Sequence, residues 1–134
     1  MALRFPPKVG QVFVCNLKNA VHPEIGKVRP VVVIAPRLPH RPELATVVPI
    51  STTAPIHEHP FCYKLSKNYH PEEPDDLDCW AKADLVMSVS YQRLSPFKTD
   101  RRKYVYPTLG ATDIKGVRLA IVHGLGLHSL ISGN

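Results

Sequence analysis

The sequence predicts a mainly β domain, a small and strongly bent antiparallel sheet or barrel, followed by one C-terminal amphipathic helix. Three observations support this prediction. Fourteen prolines in 134 residues is twice the average usage of about 5%, and because proline breaks helix interiors we expect no long helix before residue 110. Several short runs of β-branched residues lie between proline-rich and polar clusters, as strands do. An apolar stripe at helical spacing follows near the C-terminus.

The first strand is predicted over residues 10–17, where side chains alternate between two faces. Val12, Val14 and Asn16 share one face, and Phe13, Cys15 and Leu17 share the other. Residues 28–35 and 45–51 are continuous apolar runs, which is typical of strands buried on both faces.

The middle of the chain is less regular. Residues 60–66 form a further strand candidate, and residues 68–78 are too proline-rich and acidic to be anything but a loop. Residues 79–90 carry a two-part strand signal with Lys82 and Asp84 near its middle. We expect one helical turn at residues 91–94 and a short strand at 103–106.

The C-terminal helix is expected to begin at Thr112 as N-cap, with Asp113 favourably placed against the helix dipole. It should end near Gly124 or Gly126. Its apolar stripe comprises Ile114, Val117, Ile121 and Leu125.

The length of 134 residues predicts a single domain, residues 1–134. The longest apolar run has five residues, Val31 to Ala35, far short of the roughly 20 that span a membrane. The start of the chain lacks the apolar stretch of a secretory signal, so we expect a cytoplasmic protein with no membrane contact. Three cysteines without a CxxC pair indicate neither a disulfide framework nor a zinc ribbon.

Charge is distributed unevenly. Residues 1–67 hold nine Lys and Arg against three Asp and Glu, whereas residues 68–134 hold eight of each. A basic half favours a polyanionic partner, because neutralising phosphates releases counterions. An ordinary basic surface is the alternative.

Several chemistries lack their signatures. No Gly-rich phosphate loop, GxGxxG, HExxH or GxSxG is present in the sequence. His57 and His59 could present two imidazoles, but a third metal ligand at a suitable spacing is missing, so we expect a loop and no metal site. Cys79 has no histidine near it in sequence, which favours a packing role.

Polar residues at the ends of the buried strands are the remaining candidates. Arg29 precedes Pro30 at the entrance to one strand, and we expect its guanidinium at a sheet edge, where its planar fork would match phosphate geometry. Ser51, Thr52 and Thr53 follow the next strand, and their hydroxyls can contact phosphate or cap a turn.

Three segments in order resemble the MazF/PemK (Kid) family of toxin endoribonucleases: GKVRPVVVI at residues 26–34, VVPIST at 47–52, and KADLV at 82–86 with the run to Leu94. The resemblance covers roughly residues 8–94. It implies an SH3-like β-barrel with appended helices, a homodimer, and neutralisation by a cognate antitoxin with an acidic disordered segment. It also implies cleavage of single-stranded RNA, with mRNA as the expected substrate, and with no metal and no other cofactor.

The resemblance also suggests residue roles. Arg29 matches the arginine of the family's GxRP segment and would stabilise the phosphorane, and Ser51 matches the residue that ends its VPxT strand and would position phosphate. Asp84 falls on an acidic position of the Kid branch and would be the base. Lys82 stands where that branch has a catalytic arginine, and would be a supporting cation with a compact charge instead of a planar fork.

Other residues are expected to contact RNA. Glu24 matches a loop glutamate that covers the site, and a histidine of the Kid branch would fall on Pro23, so His22 is a displaced substitute. Flanking bases would unstack along the loops at residues 37–43 and 57–60. The full RNA-binding set is Glu24, Lys27, Thr52, Thr53, His22, Arg37, Arg41, His57 and His59.

Two other functions stay open at this point. The gyrase poison CcdB shares the barrel fold but depends on a tryptophan near its C-terminus, whereas the single tryptophan of this chain is Trp80. A non-catalytic SH3-like module could instead bind RNA or protein through the basic half, and the cluster at residues 101–103 fits this function as well as the nuclease.

Overall fold

A computed structural model describes residue 3 and residues 5–131 of the chain. Within this part the strands are β1 Val12–Leu17, β2 Lys27–Val33, β3 Leu44–Ser51, β4 Cys62–Lys64, β5 Trp80–Lys82, β6 Met87–Ser90, β7 Leu94–Ser95, β8 Phe97–Asp100 and β9 Lys103–Val105. The α-helices are α1 Ala111–Gly124 and α2 His128–Ile131, and 3₁₀ helices cover Ala83–Leu85 and Tyr91–Arg93. The prediction of a mainly β fold with an appended C-terminal helix is confirmed.

The main sheet is antiparallel, with the order β4-β5-β3-β2-β1-β7, and β6 also pairs with β3. Strands β8 and β9 form a separate hairpin. Among the residues described, β4 and β7 do not pair with each other, so the closed barrel implied by the resemblance is not confirmed.

Strand β1 divides its side chains between two apolar clusters, as predicted. Val12 and Val14 pack into the cluster that α1 covers, whereas Phe13, Cys15 and Leu17 belong to the cluster on the opposite face of the sheet. Strands β2 and β3 contribute valines to both clusters. Burial on both faces is confirmed for Val31–Val33 of β2 and for Val47–Ile50 of β3, whereas Val28 at the start of the predicted run is 47% exposed.

The two-part strand predicted at residues 79–90 is also confirmed. Strands β5 and β6 both pair with the same edge of β3, and the 3₁₀ helix Ala83–Leu85 separates them. From Ala81 to Met87 the chain advances six residues while its partners on β3 advance three, from Ile50 to Val47. The interruption thus holds three extra residues, and Asp84 lies at its centre.

Helix α1 ends at Gly124, as predicted, but differs from the prediction at its N-terminus. Its N-cap is Gly110 and not Thr112. Asp113 lies in the first turn, where the helix dipole favours a carboxylate, and it is buried. The reason is tertiary: Asp113 is held by hydrogen bonds from Tyr63, Ser66 and Tyr69.

The predicted apolar stripe of α1 is correct at three positions and wrong at Leu125. Val117 is buried and both Ile114 and Ile121 pack against the core, but Leu125 caps the helix and is 53% exposed. Ala120 is buried in its place, because it faces the sheet one helical turn after Val117.

The acidic segment at residues 68–78 is a loop, as predicted. The buried Asn68 organises it by donating to the Glu73 carboxylate at 3.0 Å and to the carbonyl of Pro74 at 3.3 Å. Strands β7 and β8 and the short helix α2 have no counterpart in the sequence prediction. No helix in the described part of the chain is both long and apolar enough to cross a membrane.

Candidate active site

Strand register brings Arg29 and Ser51 into one row. Cys15 of β1 is the direct partner of Arg29, and β2 pairs with β3 from Val33–Val47 to Val31–Pro49. Continuing that register by two residues places Arg29 opposite Ser51. Residues directly opposite each other share a face, with Cβ atoms about 4.5–5.5 Å apart. The last observed β2–β3 pair is Val31–Pro49, so the extended register puts the guanidinium and the hydroxyl on one face of the sheet, two residues beyond that pair.

Arg29 lies in the part of β2 that pairs with β1 alone, because the observed pairing with β3 begins at Val31. Strand β2 is flanked by β1 and β3, and the Arg29 side chain is half-buried. Its Nε donates a hydrogen bond of 2.6 Å to the carbonyl of Gly26. A guanidinium carries five N–H donors, so this bond orients the fork while using one of them.

Ser51 ends β3 and is half-buried. Its Oγ accepts a hydrogen bond of 3.1 Å from the backbone N–H of Thr53, which tightens the turn after the strand. The hydroxyl proton remains available as a donor to a phosphate oxygen. Thr52 and Thr53 follow as exposed residues.

Lys82 lies on the same sheet face as Ser51. Trp80 pairs directly with Ser51, and side chains two residues apart in a strand share a face. Lys82 pairs with Cys62 of β4. Burial raises the pKa of the Cys62 thiol. The positive charge of Lys82 opposes this rise, and the negative charge of Asp84 adds to it. Lys82 and Asp84 therefore both lie close enough to Cys62 to influence its ionisation.

Asp84 and Glu24 line one cavity. It has a volume of about 450 Å³ and is formed by the loop before β2, by residues 84–89 and by Arg93. A Glu24 carboxylate oxygen accepts from the backbone N–H of Val21 at 2.8 Å. Arg93 donates to the carbonyl of Asn16 at 2.9 Å. The carboxylates of Asp84 and Glu24 and the guanidinium of Arg93 thus line one cavity. The family resemblance assigns Asp84 the role of base and places Glu24 in the loop that covers the site.

The remaining RNA-binding candidates divide between the two ends of the central strands. Lys27 is two residues before Arg29, on the same face, and has a left-handed backbone with φ 68°. His22 is exposed in the loop before it. His57 and His59 lie in the loop after Ser51, where His59 stacks on Phe61 with ring centroids 4.8 Å apart.

Arg37 and Arg41 are distant from this row. They lie in the loop that joins β2 to β3 and line a separate cavity of about 310 Å³ together with Tyr91. Four residues of extended chain separate Arg29 from the end of β2 at Val33, about 13 Å at 3.3 Å per residue. An RNA strand bound at the Arg29–Ser51 row could therefore contact Arg37 and Arg41 only through nucleotides several positions away.

The three cysteines are free thiols. Burial raises the pKa of Cys15 to about 11, against a smaller opposing effect of the Arg93 charge. Burial likewise raises the pKa of Cys62 and of Cys79, whose thiol donates to the carbonyl of Lys67. Since a cysteine nucleophile must be a thiolate, none of these thiols is poised for covalent catalysis.

Within residue 3 and residues 5–131, no group of three or more His, Cys, Asp or Glu side chains is arranged to hold a metal ion. The rings of His57 and His59 have centroids 6.2 Å apart. Sequence reasoning did not single out Arg93, Trp80 or Lys64 for the site. Alternation could have indicated Trp80, because it stands two residues before Lys82 in one strand.

Comparison with protein families and sequences gives two matches. The model of the family described as PemK-like, MazF-like toxin of type II toxin-antitoxin system matches residues 8–122. The YifN protein of Escherichia coli (strain K12) is 30% identical over 158 aligned positions, which cover 98% of this chain and 100% of that protein.

Solved structures share the fold. MazF from Deinococcus radiodurans has a TM-score of 0.66 at 20% identity, covering 91% of this chain and 98% of its own. An endoribonuclease from a mycobacterial species, in complex with its cognate antitoxin, has a TM-score of 0.62 at 19% identity, covering 90% and 96%. At these identities the likeness shows a common architecture.

Proposed function

Because the chain belongs to the family of PemK-like, MazF-like toxins of type II toxin-antitoxin systems, we propose that it is a metal-independent, sequence-specific endoribonuclease that cleaves single-stranded RNA and thereby inhibits growth. The observation that carries the proposal is the β2–β3 register within the matched residues, which places Arg29 opposite Ser51 when it is extended by two residues beyond Val31–Pro49. Solved proteins of the same fold that are named endoribonucleases support it.

The reaction uses a nucleophile that RNA itself supplies. The ribose 2′-oxygen loses its proton to Asp84 and attacks the adjacent phosphorus, and the 5′-oxygen leaves with a proton. The products are a 2′,3′-cyclic phosphate and a 5′-hydroxyl. General acid–base help contributes about 10²- to 10⁴-fold, so a few well-placed side chains are enough for such an enzyme.

Arg29 and Ser51 act on the phosphate. The fork of Arg29 is held in place by Gly26 and would donate two parallel hydrogen bonds to the phosphorane oxygens, as well as a proton to the leaving group. Ser51 would donate its hydroxyl to the same phosphate. Lys82, on the same face, adds positive charge without the planar geometry of arginine.

RNA would cross the sheet face along this row. His22, Glu24 and Lys27 would contact it from the loop before β2, and Thr52 and Thr53 from the turn after β3. His57 and His59 would contact a flanking nucleotide. Arg37 and Arg41 would bind farther along the strand, given their place at the opposite end of β2.

A cognate antitoxin with a disordered acidic segment would occlude the same face, since residues 1–67 carry a net charge of +6. Complexes with antitoxins are known for the mycobacterial and Deinococcus radiodurans proteins. For this chain we propose the same inhibition, a homodimer as the active form, and the cytoplasm as the site of action. Gyrase poisoning is not favoured, because Trp80 lies within the sheet and far from the C-terminus.

The proposal is tested by incubating the purified protein with a defined single-stranded transcript in the presence of EDTA. We expect cleavage at a short recurring sequence, with cyclic phosphate on the upstream fragments. The Arg29→Ala variant should cleave RNA at least about 10²-fold more slowly. The Lys98→Ala variant, changed at an exposed residue of β8, should cleave RNA at the wild-type rate. An intact transcript, or cleavage that EDTA abolishes and a divalent ion restores, would overturn the proposal.

A further inference from the structure

Trp80 lines an open groove that the catalytic roles above do not use. The groove has a volume of about 630 Å³. Its walls come from β4, β5 and the loop after β3, and include His59, Cys62 and Lys64 beside the half-buried indole of Trp80. The groove thus combines an aromatic face with polar side chains, one cation and one carboxylate, that of Glu58.

The groove adjoins the proposed cleavage site. Trp80 is the direct β-sheet partner of Ser51, and the β2–β3 register, extended by two residues beyond Val31–Pro49, aligns Ser51 with Arg29. Neighbouring strands lie about 4.8 Å apart, so Trp80 and Arg29 are separated by two strand spacings, or about 10 Å. A single nucleotide can place its phosphate at Arg29 and extend its base toward the indole.

The side chain of Lys64 lies beside the indole ring of Trp80. The Lys64 ammonium lies 6.0 Å from the centroid of Trp80, and it pairs with Asp78 at 3.4 Å. The two side chains of this pair are 58% and 60% exposed, and ion pairs this exposed contribute little to stability. Lys64 can therefore leave Asp78 for an RNA phosphate at small cost.

We propose that Trp80 is the stacking platform for a nucleobase of single-stranded RNA, in the nucleotide next to the phosphate held by Arg29 and Ser51. The proposal rests on the ribonuclease function proposed above and adds a specificity-determining contact to it. Bases stack on aromatic side chains in proteins that bind single strands. Lys64 neutralises the neighbouring phosphate. His59, which stacks on Phe61, forms part of the groove wall.

Trp80 is the single tryptophan of the chain, so its fluorescence reports on this groove alone. The probe is a short 2′-O-methyl RNA that contains the cleavage sequence and cannot be cleaved, because its 2′-oxygen carries no proton. We expect binding to quench the indole fluorescence. In a series with one abasic position at a time, removing one particular base next to the scissile phosphate should abolish the quenching. Binding without any quenching would overturn the proposal.

The second measurement compares variants. Trp80→Leu should weaken binding of the dye-labelled oligonucleotide by roughly 5- to 150-fold, the range expected for one lost base stack, and should raise KM while kcat changes less than about threefold. Trp80→Phe should retain most of the affinity. Tyr104→Leu removes an exposed aromatic ring on β9 and is the matched control. Unchanged affinity in Trp80→Leu, or a loss confined to kcat, would contradict the platform.

The two proposals fail separately. If the wild-type protein binds the oligonucleotide with quenching but leaves cleavable RNA intact, the stacking contact stands and the nuclease proposal falls. If it cleaves RNA but Trp80→Leu has wild-type KM, the nuclease stands and the stacking contact falls.

Discussion

The phenol of Tyr63 donates a hydrogen bond of 2.8 Å to the carboxylate of Asp113, and this contact joins β4 to the first turn of α1. Tyr69 donates to the same carboxylate at 2.8 Å, and Ser66 donates both its hydroxyl and its backbone N–H. Asp113 is almost fully buried, with 1% exposure. One carboxylate therefore anchors the helix to the segment that leads into the acidic loop.

Asp113→Ala should destabilise the protein by roughly 2–4 kcal/mol, because it leaves several buried donors without an acceptor. Urea denaturation would measure the loss. Asp76→Ala, in the exposed acidic loop, is the control and should change the unfolding free energy by less than about 0.5 kcal/mol. Equal stabilities of the two variants would refute the anchoring role.

Asp113 should also make stability depend on acid. Burial acts to raise the pKa of Asp113, but hydrogen bonds from Ser66, Tyr69 and Tyr63 outweigh it and hold this pKa below its ordinary value. The carboxylate's contribution is therefore complete above the unfolded-state pKa of roughly 4 and is lost as pH falls through the lower folded-state pKa. The stability advantage of the wild type over Asp113→Asn should shrink from pH 6 to pH 2, and a constant difference would contradict the assignment.

Gly116→Ala should destabilise α1, although alanine is a better helix former by about 1 kcal/mol. A Cβ at this position would overlap the ring of Tyr63, and forced overpacking costs about 1–3 kcal/mol. Thermal unfolding would show a lower Tm. Lys115→Ala, at an exposed position of the same helix, should leave Tm nearly unchanged, and a higher Tm in Gly116→Ala would show that Tyr63 can move aside.

Gly124→Ala should slow RNA cleavage with little loss of stability. A Cβ on Gly124 would lie 3.0 Å from the Cα of Asp84, so the 3₁₀ helix that carries this carboxylate must shift. Small misplacements of a catalytic group are costly, and we expect a decrease of about 3- to 10-fold in kcat. A wild-type kcat would argue against Asp84 as the base or against its fixed position.

Lys82→Ala should lower the reactivity of the Cys62 thiol. The charge and hydrogen bond of Lys82 oppose the rise in the pKa of Cys62 that burial causes, so removing Lys82 leaves less thiolate. Reaction with a thiol reagent, in a background where Cys15 and Cys79 are buried, measures this directly. Lys98→Ala is the control. A faster reaction in Lys82→Ala would show that Lys82 shields the thiol instead of activating it.

The sequence predicted elements whose residues carry a periodic pattern. The faces of β1 followed from alternation, and the two-part strand followed from the break around Lys82 and Asp84. Features set by tertiary contacts were missed or wrong. Thr112 was predicted as the N-cap, but the helix begins earlier and Asp113 is buried, where it accepts a hydrogen bond from Tyr63. Strand β8 was missed because its pairing with β9 defines it more than its own composition does.

The same distinction holds for the site. Arg29 and Ser51 could be chosen because they end apolar runs, but their alignment depends on the register of β2 with β3, across a loop of ten residues whose length does not fix that register. Alternation places Trp80 on the face of Lys82, but its position beside Ser51 depends on the pairing of β5 with β3, which the sequence does not show.

The short 3₁₀ interruption between β5 and β6 makes this edge intolerant of length changes. Removing a residue from it shortens the chain between two fixed pairings, and if β5 or β6 slips by one position along β3 in response, every side chain of the slipped strand turns to the opposite side. If β5 slipped, Trp80 and Lys82 would enter the helix-covered core and Ala81 would face solvent; if β6 slipped, the buried Val89 would be expelled. A deletion within Ala83–Leu85 therefore threatens the pairing of a whole strand, whereas a substitution there alters one side chain.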